Sequence, residues 1–277
     1  MLTDEEFRLF RNLIYEESGI YLKETRKDFL ENRLSKRLTA TGISSPYWYF
    51  KHVQAQRASE LLILLDLLTV NETSFFRNQP QLDLFSDRIL PELARRKQNE
   101  PVKKLRIWSA GCSTGEEPYT ISMILLDSLI GFPNWDIKIY ASDLSLSVLN
   151  AANKGEYAGE KVLNTVDERH IARYFEKAGD RYRIRNEVRK PIVFDFHNLK
   201  NDNGLRDLDV IFCRNVMIYF DQEEQLKLVN KFAASLNPGG YLVPGHAESL
   251  QGLNTPFRLL FANGGTAYVK TEQKGNS

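Results

Sequence analysis

Leu105-Arg106-Ile107-Trp108-Ser109-Ala110-Gly111-Cys112-Ser113-Thr114-Gly115-Glu116-Glu117-Pro118 decides the fold. It reads as an apolar strand, a glycine loop and the first turn of a helix. That order brings backbone N–H groups, two residues without a Cβ and a carboxylate to one point, and nucleotide-like ligands are held at such points. Ser113 or Thr114 is expected to cap the helix, and Pro118 suits an early helical position. Glu116 and Glu117 fall in the first turn, where negative charge is favoured. A phosphate-cradling P-loop needs Gly-Lys-Ser/Thr, whereas here two glutamates follow Gly115, and a carboxylate repels a phosphate. The dinucleotide fingerprint needs Gly-x-Gly-x-x-Gly, and only Gly-x-x-x-Gly is present. A ligand at this end is therefore cationic or neutral rather than a pyrophosphate. An ordinary strand-to-helix turn uses the same residue types.

Working outward, apolar strands are expected at Leu105–Ala110, Ile137–Ser142, Pro191–Phe196, Asp209–Cys213 and Gly240–Pro244, with helices between most of them. That alternation predicts a mostly parallel sheet covered on both faces. Phe257–Phe261, Asn263-Gly264-Gly265 and Thr266–Val269 predict an antiparallel hairpin at its edge. Ligands of such sheets sit beyond the carboxyl ends of the strands. There the chain places Asp143, whose carboxylate suits a ribose diol, then Asp195-Phe196-His197-Asn198-Leu199, then Cys213-Arg214-Asn215. Before residue 100 the pattern is helical. Thr3 and Glu6 form a capping box, Ser18-Gly19 and Thr41-Gly42 end two helices, Ser45-Pro46 opens a third, and Ser59-Glu60 leads into a Leu-rich fourth.

Composition narrows the function. A net charge of +1 gives no field toward nucleic acid or an anionic membrane. The longest apolar runs, such as Leu61–Leu65, are too short to span a bilayer, and Met1–Phe10 is not a signal peptide. Only two cysteines, Cys112 and Cys213, point to a reducing compartment, hence the cytoplasm. Four scattered histidines without paired spacing give no metal site. His197, His246 and both cysteines read as packing or solvated groups rather than catalysts.

Four segments carry a resemblance: Thr69-Val70-Asn71-Glu72-Thr73-Ser74-Phe75-Phe76-Arg77, Trp108–Pro118, Ala141-Ser142-Asp143 and Ile211–Asp221. Through them nearly the whole chain resembles the CheR family of chemotaxis receptor methyltransferases, which use S-adenosylmethionine to methylate receptor glutamates and release S-adenosylhomocysteine. The resemblance implies a small N-terminal helical docking domain (1–70) and a linker with a helix contributing to the cofactor site (71–100). A Rossmann-like class I methyltransferase domain (101–277) follows, of α/β class, with a mostly parallel sheet, an antiparallel C-terminal hairpin and a small inserted β subdomain at about 155–190. By position it implies cofactor contacts at Asn71, Thr73, Arg77, Gly111, Glu117, Asp143, Asn198, Leu199, Arg214 and Asn215. Tyr219 is implied near the transferred methyl, with Arg77 as a second positioner. Asn71 and Thr73 could equally cap a helix, and Phe75 and Phe76 read as core.

The chemistry needs no metal and no general base. A glutamate with an ordinary pKa of about 4.3 is ionised at neutral pH, so in-line placement and exclusion of water suffice. On the helix expected from Glu24 to Leu38, Arg26, Arg33 and Arg37 fall within about 20° of one line, beside an apolar stripe of Leu30, Leu34 and Leu38. Such a stripe suits the cytoplasmic glutamate-rich helices of receptors; a solvated surface paired with Asp28 and Glu31 is the alternative. Gly155 to Lys190 is too long for a simple crossover and predicts an inserted subdomain, with a hairpin through Gly179 over the active-site mouth. Its short turn predicts docking independent of a receptor C-terminal peptide tether, because family members that tether resemble one another in a longer, glycine-rich turn. A non-catalytic S-adenosylmethionine-binding regulatory module is the alternative function. No nucleic-acid substrate and no membrane insertion are expected, since no Asp/Asn-Pro-Pro-Tyr/Phe string follows the fourth strand.

Overall fold

A computed structural model describes residues 1–128 and 134–271; residues 272–277 of the expected C-terminal unit lie outside the described residues. The chain opens with helix α1 (Asp4–Ser18), where the Thr3 hydroxyl accepts the Glu6 N–H and the Glu6 carboxylate accepts the Thr3 N–H. Gly19, at φ +75°, ends it. The expected second helix is broken: a 3-10 turn at Glu24–Arg26 precedes α2 (Lys27–Thr41), and Arg26 itself leaves helical geometry at φ −97°, ψ 11°. Ser45 caps α3 (Pro46–Ala55), and α4 (Arg57–Leu68) starts two residues before Ser59. Phe10, Ile14, Leu30, Tyr49, Val53 and Leu64 fill the core of these helices.

A second unit follows α5 (Gln79–Leu84), a π turn at Phe85–Ile89 and α6 (Leu90–Arg96). It contains β1 (Lys103–Ala110), α7 (Glu116–Ser128), β2 (Trp135–Asp143), α8 (Leu146–Lys154), β3 (Glu156–Ala158), α9 (Gly159–Leu163), α10 (Glu168–Tyr174), β4 (Phe175–Ala178), β5 (Arg181–Ile184) and α11 (Asn186–Arg189). Then come β6 (Ile192–Phe196), β7 (Leu208–Cys213), a 3-10 turn at Met217–Tyr219, α12 (Gln222–Ser235), β8 (Leu236–Pro244), β9 (Phe257–Ala262) and β10 (Gly265–Lys270). The main sheet runs β6-β2-β1-β7-β8-β10-β9, parallel through β8 and antiparallel at β10 and β9. Every residue of β7 is buried, as a central strand covered on both faces requires.

The strand order reverses between β1 and β7. Successive strands lie outward on one side from β1 to β6 and on the other from β7 to β8. A crevice therefore opens at the carboxyl ends of β1 and β7. The insert forms its own sheet, β3-β5-β4. The alternation expected over Tyr182–Val188 stops at Ile184, and Asn186–Arg189 turns helical.

Candidate functional site

At that crevice lies a cavity of about 310 Å³ walled by both units. Asn71, Thr73, Arg77, Gly111, Glu117, Asp143, Asn198, Leu199, Arg214, Asn215 and Tyr219 all line it, and so does Arg26. Residues as far apart in sequence as Arg26 and Tyr219 meet there because the ends of β1, β2, β6 and β7 and one inter-unit linker converge.

The glycine loop is built around Asp143. Gly111 and Cys112 donate their N–H groups to the Ser142 carbonyl at 2.8 and 2.9 Å. The Asp143 carboxylate accepts the N–H groups of Ser113 at 2.8 Å and Ser145 at 3.0 Å. Burial pushes the Asp143 pKa up, and the backbone N–H bonds oppose that rise. Neither Ser113 nor Thr114 caps α7 as expected. The Ser113 hydroxyl donates to the Asn71 carbonyl at 3.2 Å, tying the linker to the loop, and Thr114 donates to the Glu116 carboxylate at 2.7 Å. Gly111 is required twice over: its φ is +85°, and a Cβ would meet Val216 Cγ2 at 2.5 Å.

The two first-turn glutamates of α7 part company. Glu116 is fully buried and pairs with Lys161 of the insert. Glu117 faces the cavity, accepting the Ser109 hydroxyl at 2.7 Å and Arg214 Nη1 at 3.2 Å. Burial raises its pKa, and the Arg214 guanidinium counters that. Arg214 also donates to the Arg77 carbonyl, and its buried Nε has no partner among the described residues. His197 was expected to be a packing group. It packs near Trp108 and lines the cavity; its buried Nε2 has no hydrogen-bond partner among the described residues, and burial lowers its pKa.

Tyr219 is half-buried at the mouth. Burial raises its pKa above the ordinary value of 10, with the charges of Arg26 and Arg77 pulling the other way. Its backbone joins the two units: the Tyr219 carbonyl accepts the Tyr21 N–H at 2.8 Å beside a bridge between Ile20 and Phe220. Asn198 serves the same seam, donating to the Glu17 carbonyl at 2.6 Å, while Lys200 Nζ donates to the Tyr15 carbonyl at 3.0 Å.

The structure divides the basic stripe. Arg26 lies at the cavity mouth, and Arg26 and Arg33 stack over the Phe29 ring at 5.4 and 5.1 Å. Arg37 is turned inward, forming a bidentate pair with the buried Glu60 that includes an Nη2 bond at 2.8 Å. The Tyr49 hydroxyl donates to the same carboxylate at 2.7 Å. Arg37 is thus spent on the core of the helical unit. The hairpin is also elsewhere than expected: among the described residues, none between 155 and 190 lines the cavity. The insert instead packs against α7 and the linker, where Tyr157 and Phe175 meet Phe75 edge-on at 4.8 and 5.4 Å.

Glu248 was missed in the sequence. It is buried, and its carboxylate accepts four backbone N–H groups around the Arg214–Tyr219 segment. The signal was present: Gly245-His246-Ala247-Glu248 follows the carboxyl end of β8, the same kind of position that yielded Asp143.

Comparison with known proteins agrees with this geometry. The family described as CheR methyltransferase, all-alpha domain, matches residues 5–69, and CheR methyltransferase, SAM binding domain, matches residues 71–265. Chemotaxis protein methyltransferase 2 of Vibrio cholerae is 35% identical over 100% of this chain and 96% of its own length. The chemotaxis protein methyltransferase of Salmonella typhimurium is 37% identical over 99% of this chain and 92% of its own, and that of Escherichia coli is 36% identical over 97% and 91%. No helix among the described residues is long and apolar enough to cross a membrane.

Proposed function

The chain belongs to the CheR methyltransferase family, and from that premise we infer that it transfers a methyl group from S-adenosylmethionine to glutamate carboxylates of chemotaxis receptors. The observation that carries this is the meeting of Glu117, Asp143, Arg214 and Tyr219 on one cavity at the switch point of the sheet. Those groups fit the cofactor. Two carboxylates suit a cationic ligand with a diol, and the unpartnered Arg214 Nε and His197 Nε2 are buried polar atoms that a polar ligand can satisfy.

Asp143 is the residue for the ribose hydroxyls. Glu117, Arg214 and Asn215 hold the methionine end, with Asn71, Thr73 and Gly111 closing the wall. Asn198 and Leu199 stand by the adenine, Asn198 through backbone and shape because its side chain is engaged with Glu17. When bound, S-adenosylmethionine supplies an electrophilic methyl group on a sulfonium. The incoming glutamate is already ionised at neutral pH, so no residue need remove a proton. Tyr219 keeps its proton at neutral pH and is a hydrogen-bond donor at the mouth. Arg77 adds positive charge beside it and belongs first to the cofactor; a tight ion pair with the substrate would blunt the nucleophile.

The substrate is a glutamate-rich receptor helix, docked on residues 1–70, with 71–100 as linker and 101–277 as the catalytic domain, in the cytoplasm. Arg26 and Arg33 face its acidic side. Tyr21, Val70 and Ile218, each about half exposed, ring the mouth and suit its apolar side. Gly179 and Asp180 alone join β4 to β5, which favours docking without a peptide tether. Incubation with methyl-labelled S-adenosylmethionine and a receptor membrane fraction tests the function. Alkali-labile label on receptor is expected. Calorimetric cofactor binding without label would make the protein a regulatory module instead.

A further inference from the structure

The geometry points to Glu248 as a positioning residue that sets Tyr219 and Asn215 for methyl transfer, an inference that rests on the function above. Its Oε2 accepts the N–H groups of Asn215 at 2.8 Å and Gly245 at 2.6 Å, and its Oε1 those of Val216 at 2.9 Å and Ile218 at 3.2 Å. Four donors on one carboxylate, 7% exposed, make a rigid backbone clamp.

The clamped segment needs holding. Asn215 sits at φ +60°, a region that a residue with a side chain rarely adopts unless its surroundings enforce it. Tyr219 ends the 3-10 turn at Met217–Tyr219 four residues on, so an error at Asn215 is carried to the cavity wall. The room for the clamp is reserved by Gly245, where a Cβ would lie 2.7 Å from Glu248 Oε2 and 2.8 Å from the Asn215 nitrogen. Glu248 does not line the cavity, so any effect on chemistry passes through the segment it holds.

Glu248→Gln exchanges one acceptor oxygen for a donor NH₂ that opposes two of the four amides, with little change in volume. Its test runs well below the melting midpoint of the variant. Hydrogen exchange at the amides of Asn215, Val216 and Ile218 is expected to quicken. The kcat is expected to fall by about 100-fold, the scale of a small misplacement of reacting groups. Affinity for S-adenosylhomocysteine, read by calorimetry, is expected to change less than kcat. In a cycle with Tyr219→Phe the two losses are expected to be strongly non-additive. Should Glu248→Gln fail to fold, Gly245→Ala, which wedges the carboxylate from the segment, takes its place. A folded variant with wild-type kcat and a lowered melting midpoint would leave Glu248 a purely structural residue and overturn the inference, as would additive losses in the cycle. A wild-type protein that transfers no methyl would instead bring down the function itself, and the exchange data would still report whether Glu248 holds the segment.

Discussion

Arg37→Ala separates the inward-facing arginine from the outward-facing ones on α2. In the wild type the guanidinium makes two bonds to Glu60, whose carboxylate also accepts the Tyr49 hydroxyl. Glu60 is 4% exposed and Tyr49 is fully buried, so the variant strands a carboxylate in the core with only Tyr49 and a more distant His52 beside it. Breaking a buried pair from one side costs about 3–5 kcal/mol. With a urea m-value of about 1–3 kcal/mol/M, the midpoint for the helical unit is expected to fall by at least about 1 M. Arg33→Ala removes only a stack on Phe29, and about 1 kcal/mol or less is expected. Urea titrations followed by circular dichroism read both. The Arg37 guanidinium holds the Glu60 carboxyl below its ordinary 4.5. A depressed carboxylate adds stability above its unfolded pKa and loses it as pH falls through its folded pKa. The gap between wild type and Arg37→Ala is thus expected to narrow below about pH 4.5. An Arg37→Ala variant with the wild-type midpoint, and a raised KM for receptor, would return Arg37 to the docking surface.

Asp143→Ala is expected to weaken S-adenosylmethionine binding by about 1.5–3 kcal/mol in calorimetry, since hydrogen bonds to a charged acceptor are lost. It also orphans the Ser113 and Ser145 N–H groups, so a lowered melting midpoint is expected, with Asp143→Asn milder on both counts; unchanged affinity would remove Asp143 from the site. Tyr219→Phe is expected to lower turnover while S-adenosylhomocysteine affinity holds; a parallel fall would make Tyr219 a binding residue. Arg33→Glu is expected to raise the receptor KM at low salt, with the effect shrinking as salt screens the wild type; equal KM values at low salt would leave Arg33 a solvated group. An isolated receptor C-terminal peptide is expected not to bind the insert, and micromolar binding in a fluorescence titration would establish a tether.

Much of this was legible because the signals were local. Period-two and period-3.6 patterns found the main-sheet strands, and the Thr3–Glu6 box marked the start of α1. Asp143 and Arg214 stood out because they follow strand ends, and Tyr219 through the family resemblance of Ile211–Asp221. What stayed hidden depends on partners distant in sequence. Arg37 shares a helical line with Arg33, and only the approach of α4 with Glu60 turns it inward. Ser113 looks like a cap, but Asp143 fixes its N–H and the linker takes its hydroxyl. The insert's place against α7 follows from Phe75, whose aromatic partners are Tyr157 and Phe175. No spacing rule encodes such meetings.

The seam between the units bears on how proteins of this build can be recombined. On the helical side it offers the carbonyls of Tyr15 and Glu17 and the N–H of Tyr21, together with one side chain, the Asp66 carboxylate, which accepts the Ser145 and Ser147 hydroxyls and which a foreign unit must keep. Backbone groups are the same whatever side chains they carry, so a foreign helical unit with the same turn after α1 presents the same handholds. The side chains that grip them, Asn198 and Lys200, belong to the catalytic unit. A chimera that keeps those two residues, and keeps Leu22 and Phe29 facing the cavity, exchanges the receptor-reading surface without rebuilding the cofactor wall. On the proposed docking role of residues 1–70, receptor preference is transplantable as a module while the cofactor wall stays fixed.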